Sequence, residues 1–147
     1  MENRFMKLML PLVLAAMAGL ASPVVAGDKD VTVWKSPTCG CCTGWAEYLQ
    51  HNGYSVRQID VDDLDAVKKA HGVPAAMESC HTARIGGYVV EGHVPVEAID
   101  KLLKERPKVR GIASPGMPMG SPGMSGPKEE NVIHTFGADG TRVYGRY

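Results

Sequence analysis

The sequence predicts an α/β fold in which a mixed β-sheet is flanked by helices. Two observations lead to this prediction. From Val31 to Pro107, short β-rich apolar runs alternate with segments whose apolar residues recur at helical spacing. Three of the four cysteines fall within Cys39–Cys42, directly after the first of these runs. Reactive side chains are therefore expected where the first strand passes into the first helix.

The alternation gives the element order strand, helix, strand, helix, hairpin, helix. The β-rich runs predict two strands and a hairpin about Gly86-Gly87: residues 31–34, 54–61, and 82–85 with 88–94. Helical spacing predicts three helices: residues 44–50, a second that follows Asp62-Asp63 and stops at Gly72, and a third that Pro95 opens and Pro107 ends. This order, with cysteines at the first strand-to-helix junction, looks like a thioredoxin-like fold.

After the last predicted helix the composition changes. Residues 114–124 are too rich in glycine and proline for a helix or a strand, so they are expected to form a loop. This loop carries three methionines: Met117, Met119 and Met124. The chain then closes with a predicted hairpin, whose strands and turn are residues 132–136, 141–147 and 137–140.

The first 26 residues have the features of a secretory signal peptide. Arg4 and Lys7 form a basic start, residues 8–20 form an apolar core, and residues 24–26 form a small-residue cleavage site. Cleavage is expected after Ala26, which would place the mature chain in the periplasm. The apolar core is shorter than the ~20 residues that span a bilayer, so a retained membrane anchor is the weaker interpretation.

The charge balance argues against a strongly charged partner. The chain has 16 basic and 16 acidic residues, and the predicted signal peptide contains two of the former and one of the latter, which leaves a net charge of −1 on the mature chain. This charge gives no electrostatic basis for binding nucleic acid or, after cleavage, a membrane surface. Small partners are expected instead.

Three thiols within four residues are difficult to explain as structural disulfides. Cys41 and Cys42 would form a strained vicinal pair, whereas Cys39 and Cys42 have the C-x-x-C spacing of redox sites. A soft metal ion is the alternative, because it would use all three thiolates from one compact loop. Export favours a bound metal or a dedicated redox partner, since an oxidising compartment otherwise converts thiols into disulfides.

The predicted topology brings further ligand types to these cysteines. The strand after the second helix is expected to run antiparallel to the first, so it begins near the cysteine loop, at Cys80 and His81. The next strand returns to the same edge of the sheet, near His93. We therefore expect six side chains to meet there: Cys39, Cys41, Cys42, Cys80, His81 and His93.

Four motifs, in this order, resemble the CopG family of exported bacterial copper-resistance proteins: residues 35–42 (KSPTCGCC), 79–83 (SCHTA), 91–95 (EGHVP) and 115–124 (PGMPMGSPGM). The resemblance implies a thioredoxin-like domain that binds a multinuclear copper cluster through Cys, His and Met and interconverts Cu(I) and Cu(II). Ordinary thioredoxins have a cis proline immediately before the strand that faces the thiols. Here Cys80-His81 occupy that place, which weakens a general disulfide-exchange interpretation.

The donor types favour copper over other metals. Zinc accepts Cys and His but has no use for thioethers. Copper as Cu(I) prefers thiolate and thioether, and as Cu(II) it prefers imidazole. The candidate donors outnumber the four positions of one tetrahedral ion, which suggests several metal ions bridged by thiolates. Iron–sulfur ligation remains open on cysteine count alone.

The other histidines are interpreted differently. His51 and His71 each end a predicted helix, where an imidazolium interacts favourably with the helix dipole, so both are assigned structural roles. His134 alternates with Val132 and Phe136 on a strand and stays open between core packing and metal binding.

The leading hypothesis is a periplasmic copper oxidoreductase in which Cys39 and Cys42 are catalytic. Its expected metal ligands are Cys39, Cys41, Cys42, Cys80, His81, His93, Met117, Met119 and Met124. The alternatives are a non-catalytic copper store or chaperone and a thiol-disulfide oxidoreductase that uses Cys39 and Cys42. Expected partners are copper ions and either other periplasmic copper-handling proteins or a redox partner. The expected organisation is a signal peptide, a thioredoxin-like metal-binding domain, and a loop and hairpin packed on that domain: residues 1–26, 27–110 and 111–147.

Overall fold

The computed structural model describes residues 27–147, so the predicted signal peptide lies outside the described residues. Residues 27–147 contain seven strands: β1 (Asp30–Lys35), β2 (Ser55–Asp60), β3 (His81–Ile85), β4 (Tyr88–Glu91), β5 (Gly111–Ala113), β6 (Val132–Gly137) and β7 (Gly140–Arg146). They also contain three α-helices and a 3₁₀ turn: α1 (Gly40–His51), α2 (Leu64–His71), α3 (Val96–Glu105) and Ala75–Met77. Within this part of the chain, no helix combines the length and apolar character needed to cross a membrane.

These strands form one mixed sheet in the order β2-β1-β3-β4-β5-β6-β7. β1 is parallel to β2 and antiparallel to β3. β4 is parallel to β5, and the other neighbouring strands are antiparallel. α1 connects the first parallel pair and α3 the second, as the long crossover between parallel strands requires. The mixed sheet with its flanking helices confirms the predicted fold class.

The sheet has a large apolar cluster on one face and a smaller one on the other. Successive residues of a strand point to opposite faces, and accordingly Val89 and Val90 of β4 belong to different clusters. Trp45 and Leu49 of α1 and Ile99 of α3 are fully buried in the larger cluster. Burial of an apolar side chain of this kind contributes about 1.5–3 kcal/mol. The large cluster therefore fixes α1, and with it the cysteines at the start of this helix.

α1 begins at Gly40, earlier than the predicted start at Gly44. Its N-cap is Cys39, whose Sγ accepts the backbone N–H of Cys42 at 3.3 Å. Cysteine is not among the residues that usually mark an N-cap, so apolar spacing located the helix but not its start. Cys41 and Cys42 consequently lie in the first helical turn rather than in a preceding loop.

The middle of the sheet also differs from the prediction. β4 ends at Glu91 rather than at Val94, because Gly92 adopts a positive φ of 74° that breaks the strand. β5 was not predicted, because it has only three residues, which are too few to show a periodic pattern. β5 pairs with both β4 and β6, so the correctly predicted C-terminal hairpin β6–β7 continues the same sheet.

Candidate metal centre

The first part of the centre is the junction of β1 and α1. Cys42 is fully buried, whereas Cys39 and Cys41 are half-buried. Cys39 and Cys42 are joined by a disulfide, and Cys41 and Cys80 are free thiols. The Sγ atoms of Cys39 and Cys41 lie 3.6 Å apart. In this state two of the three clustered cysteines are oxidised, and they would have to be reduced to serve as thiolate ligands.

The second part comes from the sheet edge that faces this junction. The antiparallel register of β1 and β3 places His81 opposite Lys35, so β3 begins beside the cysteines. Cys80 Sγ lies 4.0 Å from Cys41 Sγ, 2.8 Å from His93 Nε2 and 3.8 Å from His81 Nδ1. The predicted convergence of these side chains is thus present in the structure.

Two groups of potential ligand atoms share Cys80. The four cysteine sulfur atoms all lie within 4.8 Å of one another, and the same limit holds for the ligand atoms of Cys80, His81 and His93. Cys80 therefore belongs both to the group of four cysteines and to the group that contains the two histidines.

The orientation of His93 is fixed by a backbone carbonyl. Its Nδ1 lies 2.7 Å from the carbonyl oxygen of Pro122. Because a carbonyl can only accept a hydrogen bond, Nδ1 must carry a proton, and the neutral ring then directs the lone pair of Nε2 towards Cys80. Pro122, which is distant from His93 in sequence, thus selects the tautomer suited to metal binding at Nε2.

His81 places one ring nitrogen, Nδ1, beside the Cys80 sulfur, while the rest of the ring packs in the core. The side chain is fully buried, its ring centroid lies 4.5 Å from that of Trp45, and its Nε2 has no hydrogen-bond partner within residues 27–147. A buried polar atom without a partner costs about 1–3 kcal/mol. Soft sulfur donors beside imidazole nitrogens form a set that suits copper in both of its common oxidation states. The residues present therefore fit a bound copper ion.

Burial also sets the protonation of the ligands in the metal-free centre. It raises the pKa of Cys80 to about 12, with a further contribution from the neighbouring Cys41. Burial likewise lowers the pKa of His81 and of His93, so both imidazoles are neutral. Metal binding needs a thiolate and a neutral imidazole. The histidines already have the required form, while Cys80 needs a nearby cation to lose its proton.

Behind the sheet edge lies a buried polar network that the sequence did not predict. Glu91 is fully buried and accepts hydrogen bonds from Lys68 Nζ, Thr82 Oγ1 and the backbone N–H of Ser79. Lys68 is itself nearly inaccessible to solvent. The only local signal was a charged residue inside an otherwise apolar strand, at Glu91 between Val90 and Gly92.

The methionine loop is attached to the centre through its backbone. Ser79 Oγ donates a hydrogen bond to the carbonyl of Gly116, and the carbonyl of Pro122 contacts His93 as described above. Gly123 packs so closely on α1 that an added Cβ would lie 2.6 Å from the carbonyl oxygen of Cys41. The backbone of the loop thus passes beside Cys80, His93 and Cys41.

The methionine side chains are less enclosed than this backbone. Met117 is 57% exposed and Met119 is 40% exposed, and Met124 is half-buried. Met117 and Met119 are therefore much more exposed than the fully buried His81 and His93. Their role as metal ligands stays a prediction.

The remaining histidines lie away from the cysteines or lack a defined role. His51 is exposed at the end of α1. His71 ends α2, where its Nδ1 contacts the carbonyl of Val67 at 2.9 Å and its ring packs against Trp34. His134 on β6 is half-buried, and its Nδ1 has no partner within the described part of the chain.

The chain is similar to two solved structures and to one family of unassigned function. A structure described as "Copper resistance protein copG- Form 2" is 40% identical, covers 80% of this chain and 97% of its own, and superposes with a TM-score of 0.76. A second, described as Form 1 of the same protein, is 40% identical, covers 80% of this chain and 96% of its own, and has a TM-score of 0.75. The family model described as "Protein of unknown function, DUF411" matches residues 77–124. No curated protein sequence matches the chain.

Proposed function

Because the chain belongs to the CopG family of copper resistance proteins, we propose that it binds copper at the Cys–His centre and interconverts Cu(I) and Cu(II) there. The observation that carries this proposal is the position of Cys80. Its sulfur lies within 4.8 Å of three other cysteine sulfurs and of a ring nitrogen of each of two histidines. Thiolates favour Cu(I) and imidazoles favour Cu(II), so one compact centre offers acceptable donors to both states.

Copper is the substrate of the proposed reaction. Cys39, Cys41, Cys42 and Cys80 would hold it as thiolates, and His81, His93 and the methionines of the loop would complete the donor set. Each conversion between Cu(I) and Cu(II) transfers one electron, which a redox partner must accept or supply. The number of donors supports a centre that holds several copper ions bridged by thiolates, since one tetrahedral ion takes only four ligands.

The chain's own residues prepare the centre for this substrate. Pro122 holds the His93 tautomer with Nε2 directed at Cys80, and burial keeps both histidines neutral. The large apolar cluster fixes α1, so the cysteines of its first turn are held rather than mobile. The predicted signal peptide supports a periplasmic location, which suits a protein that handles copper outside the cytoplasm.

Anaerobic titration of the reduced mature protein with Cu(I), followed by elemental analysis, tests the proposal. We expect more than one tightly bound copper ion per chain. Weak binding of one equivalent or fewer would rule out the multinuclear centre. Stepwise oxidation monitored by electron paramagnetic resonance then tests the redox role. A loaded centre that stays silent at every accessible potential would leave only a copper store or chaperone.

A second function is favoured by the disulfide itself. Cys39 and Cys42 are already bonded at the N-terminus of α1, the position at which thioredoxin-like redox pairs act. The reduced metal-free protein would then catalyse insulin reduction. Strong activity in this assay without tight copper binding would support a thiol-disulfide oxidoreductase instead.

A further inference from the structure

Glu91 is a buried carboxylate directly behind the candidate metal centre. Carboxylates are rarely buried unless they are paired, and Glu91 has three partners. Lys68 Nζ lies 2.5 Å from Oε1, the backbone N–H of Ser79 lies 2.7 Å from the same oxygen, and Thr82 Oγ1 lies 2.7 Å from Oε2. Two of these partners belong to regular elements, α2 and β3, but Ser79 belongs to a loop. The network therefore ties one loop residue to the sheet.

The loop residue held in this way precedes Cys80. Ser79 is also confined by Gly92, where an added Cβ would lie 2.5 Å from Ser79 Oγ and 2.7 Å from the carbonyl oxygen of Ser114. His93, next in the chain, contacts the Cys80 sulfur itself. Three consecutive residues, Glu91, Gly92 and His93, thus hold the Ser79-Cys80 dipeptide from both ends.

Stability alone does not account for the buried pair of Lys68 and Glu91. Removing two charges from water is costly, and apolar residues of similar volume often replace a buried ion pair without loss of stability. An apolar pair cannot, however, accept the N–H of Ser79. That hydrogen bond to a charged acceptor is the feature of the network that only a polar residue at position 91 provides.

We propose that Glu91, held by Lys68 and Thr82, is a positioning residue that fixes Cys80 for copper binding. This inference rests on the proposed function, and it adds three residues that act behind the ligands. Groups behind metal ligands orient them, and their loss typically lowers metal affinity by about 10–100-fold. Because Cys80 belongs both to the cysteine group and to the group with the histidines, a displaced Ser79-Cys80 dipeptide would disturb both groups of ligands at once.

The test compares two double variants that differ in whether residue 91 can accept a hydrogen bond from Ser79. Lys68→Met with Glu91→Gln removes both charges but keeps a carbonyl oxygen for Ser79, whereas Lys68→Met with Glu91→Leu also removes the acceptor. Cu(I) affinity is measured by competition with a chromophoric chelator. We expect the Gln variant to stay near the wild-type affinity and the Leu variant to bind at least about tenfold more weakly.

A second readout needs no metal. Alkylation of Cys80 in the metal-free protein, followed by mass spectrometry of the peptide that contains it, should be faster in the Leu variant than in the Gln variant. Thermal unfolding of both proteins shows whether the fold is equally stable. If wild-type protein binds no copper, the proposed function fails, but a faster alkylation of Cys80 still supports the positioning role.

Tyr54→Phe serves as the control for the loss of an unrelated, partly buried hydrogen bond. Tyr54 donates to Asp100 at 2.5 Å, beside the start of β2 and so at the opposite end of the sheet from the cysteines. This variant should unfold at a lower temperature and keep its copper affinity. The inference is wrong if the Leu and Gln variants have equal affinity and equal alkylation rates, or if affinity falls in all variants, Tyr54→Phe included, in proportion to stability.

Discussion

The two sets of candidate ligands outside α1 differ in what holds them. Cys80, His81 and His93 lie at the ends of β3 and β4, where both histidines are completely buried. Met117 and Met119 lie on a loop and expose about half of their surface. The backbone of this loop contacts the centre at Gly116, Pro122 and Gly123. The sheet edge supplies ligands at fixed positions, while the loop supplies thioethers that can adapt, so the sheet edge should decide whether copper binds.

The largest effect is expected from Cys80→Ser. This change removes the sulfur that belongs to both ligand groups, and a hydroxyl is a poor donor to Cu(I). We expect the copper content after anaerobic loading to fall to about half of the wild-type value or less. Elemental analysis of the desalted protein measures it. His51→Ala is the control, since this exposed residue at the end of α1 should leave the copper content unchanged.

The meeting of the cysteines with the sheet-edge residues could be predicted from sequence, but their support could not. Alternating apolar residues located β1 and β3, and the antiparallel return of β3 follows from a general rule of strand pairing. The partners of Glu91, by contrast, come from α2 and from the loop before β3. No local pattern specifies which buried carboxylate meets which distant amide. The exposure of Met117 could not be predicted from sequence for the same reason, because tertiary contacts decide how a glycine-rich loop folds.

Cys41→Ser tests whether the centre is a metal site or a dithiol pair. Cys41 lies outside the Cys39–Cys42 disulfide, yet its sulfur is 3.6 Å from Cys39 and 4.0 Å from Cys80. A copper centre should therefore lose part of its metal in this variant, though less than in Cys80→Ser, because Cys80 is grouped with both imidazoles and Cys41 is grouped with the cysteines. A dithiol mechanism requires only Cys39 and Cys42, and full copper content in Cys41→Ser would favour it.

His81→Leu should separate copper binding from stability. The buried Nε2 of His81 has no partner within residues 27–147, so replacing the ring with an apolar side chain should raise the free energy of unfolding of the metal-free protein by about 1 kcal/mol or more. Copper affinity should fall in the same variant. Chemical denaturation and chelator competition measure the two quantities. A variant that is less stable and binds copper normally would show that His81 is only a core residue packed on Trp45.

The smallest effect is expected from the double variant Met117→Leu and Met119→Leu. Leucine keeps the size and apolar character of methionine but lacks the thioether, and both side chains are exposed, so the fold should be unaffected. Because the sheet edge and α1 already supply six donors, copper content should stay at the wild-type value. The rate at which Cu(I) leaves for a chelator should change by only a few-fold, about 1 kcal/mol or less in the barrier.

The half-buried Met124 provides the comparison: if Met124→Leu changes this rate more than the double variant does, thioether contact depends on enclosure. If the double variant loses as much copper as Cys80→Ser, the loop is as decisive as the sheet edge, and the distinction between fixed and adaptable ligands fails.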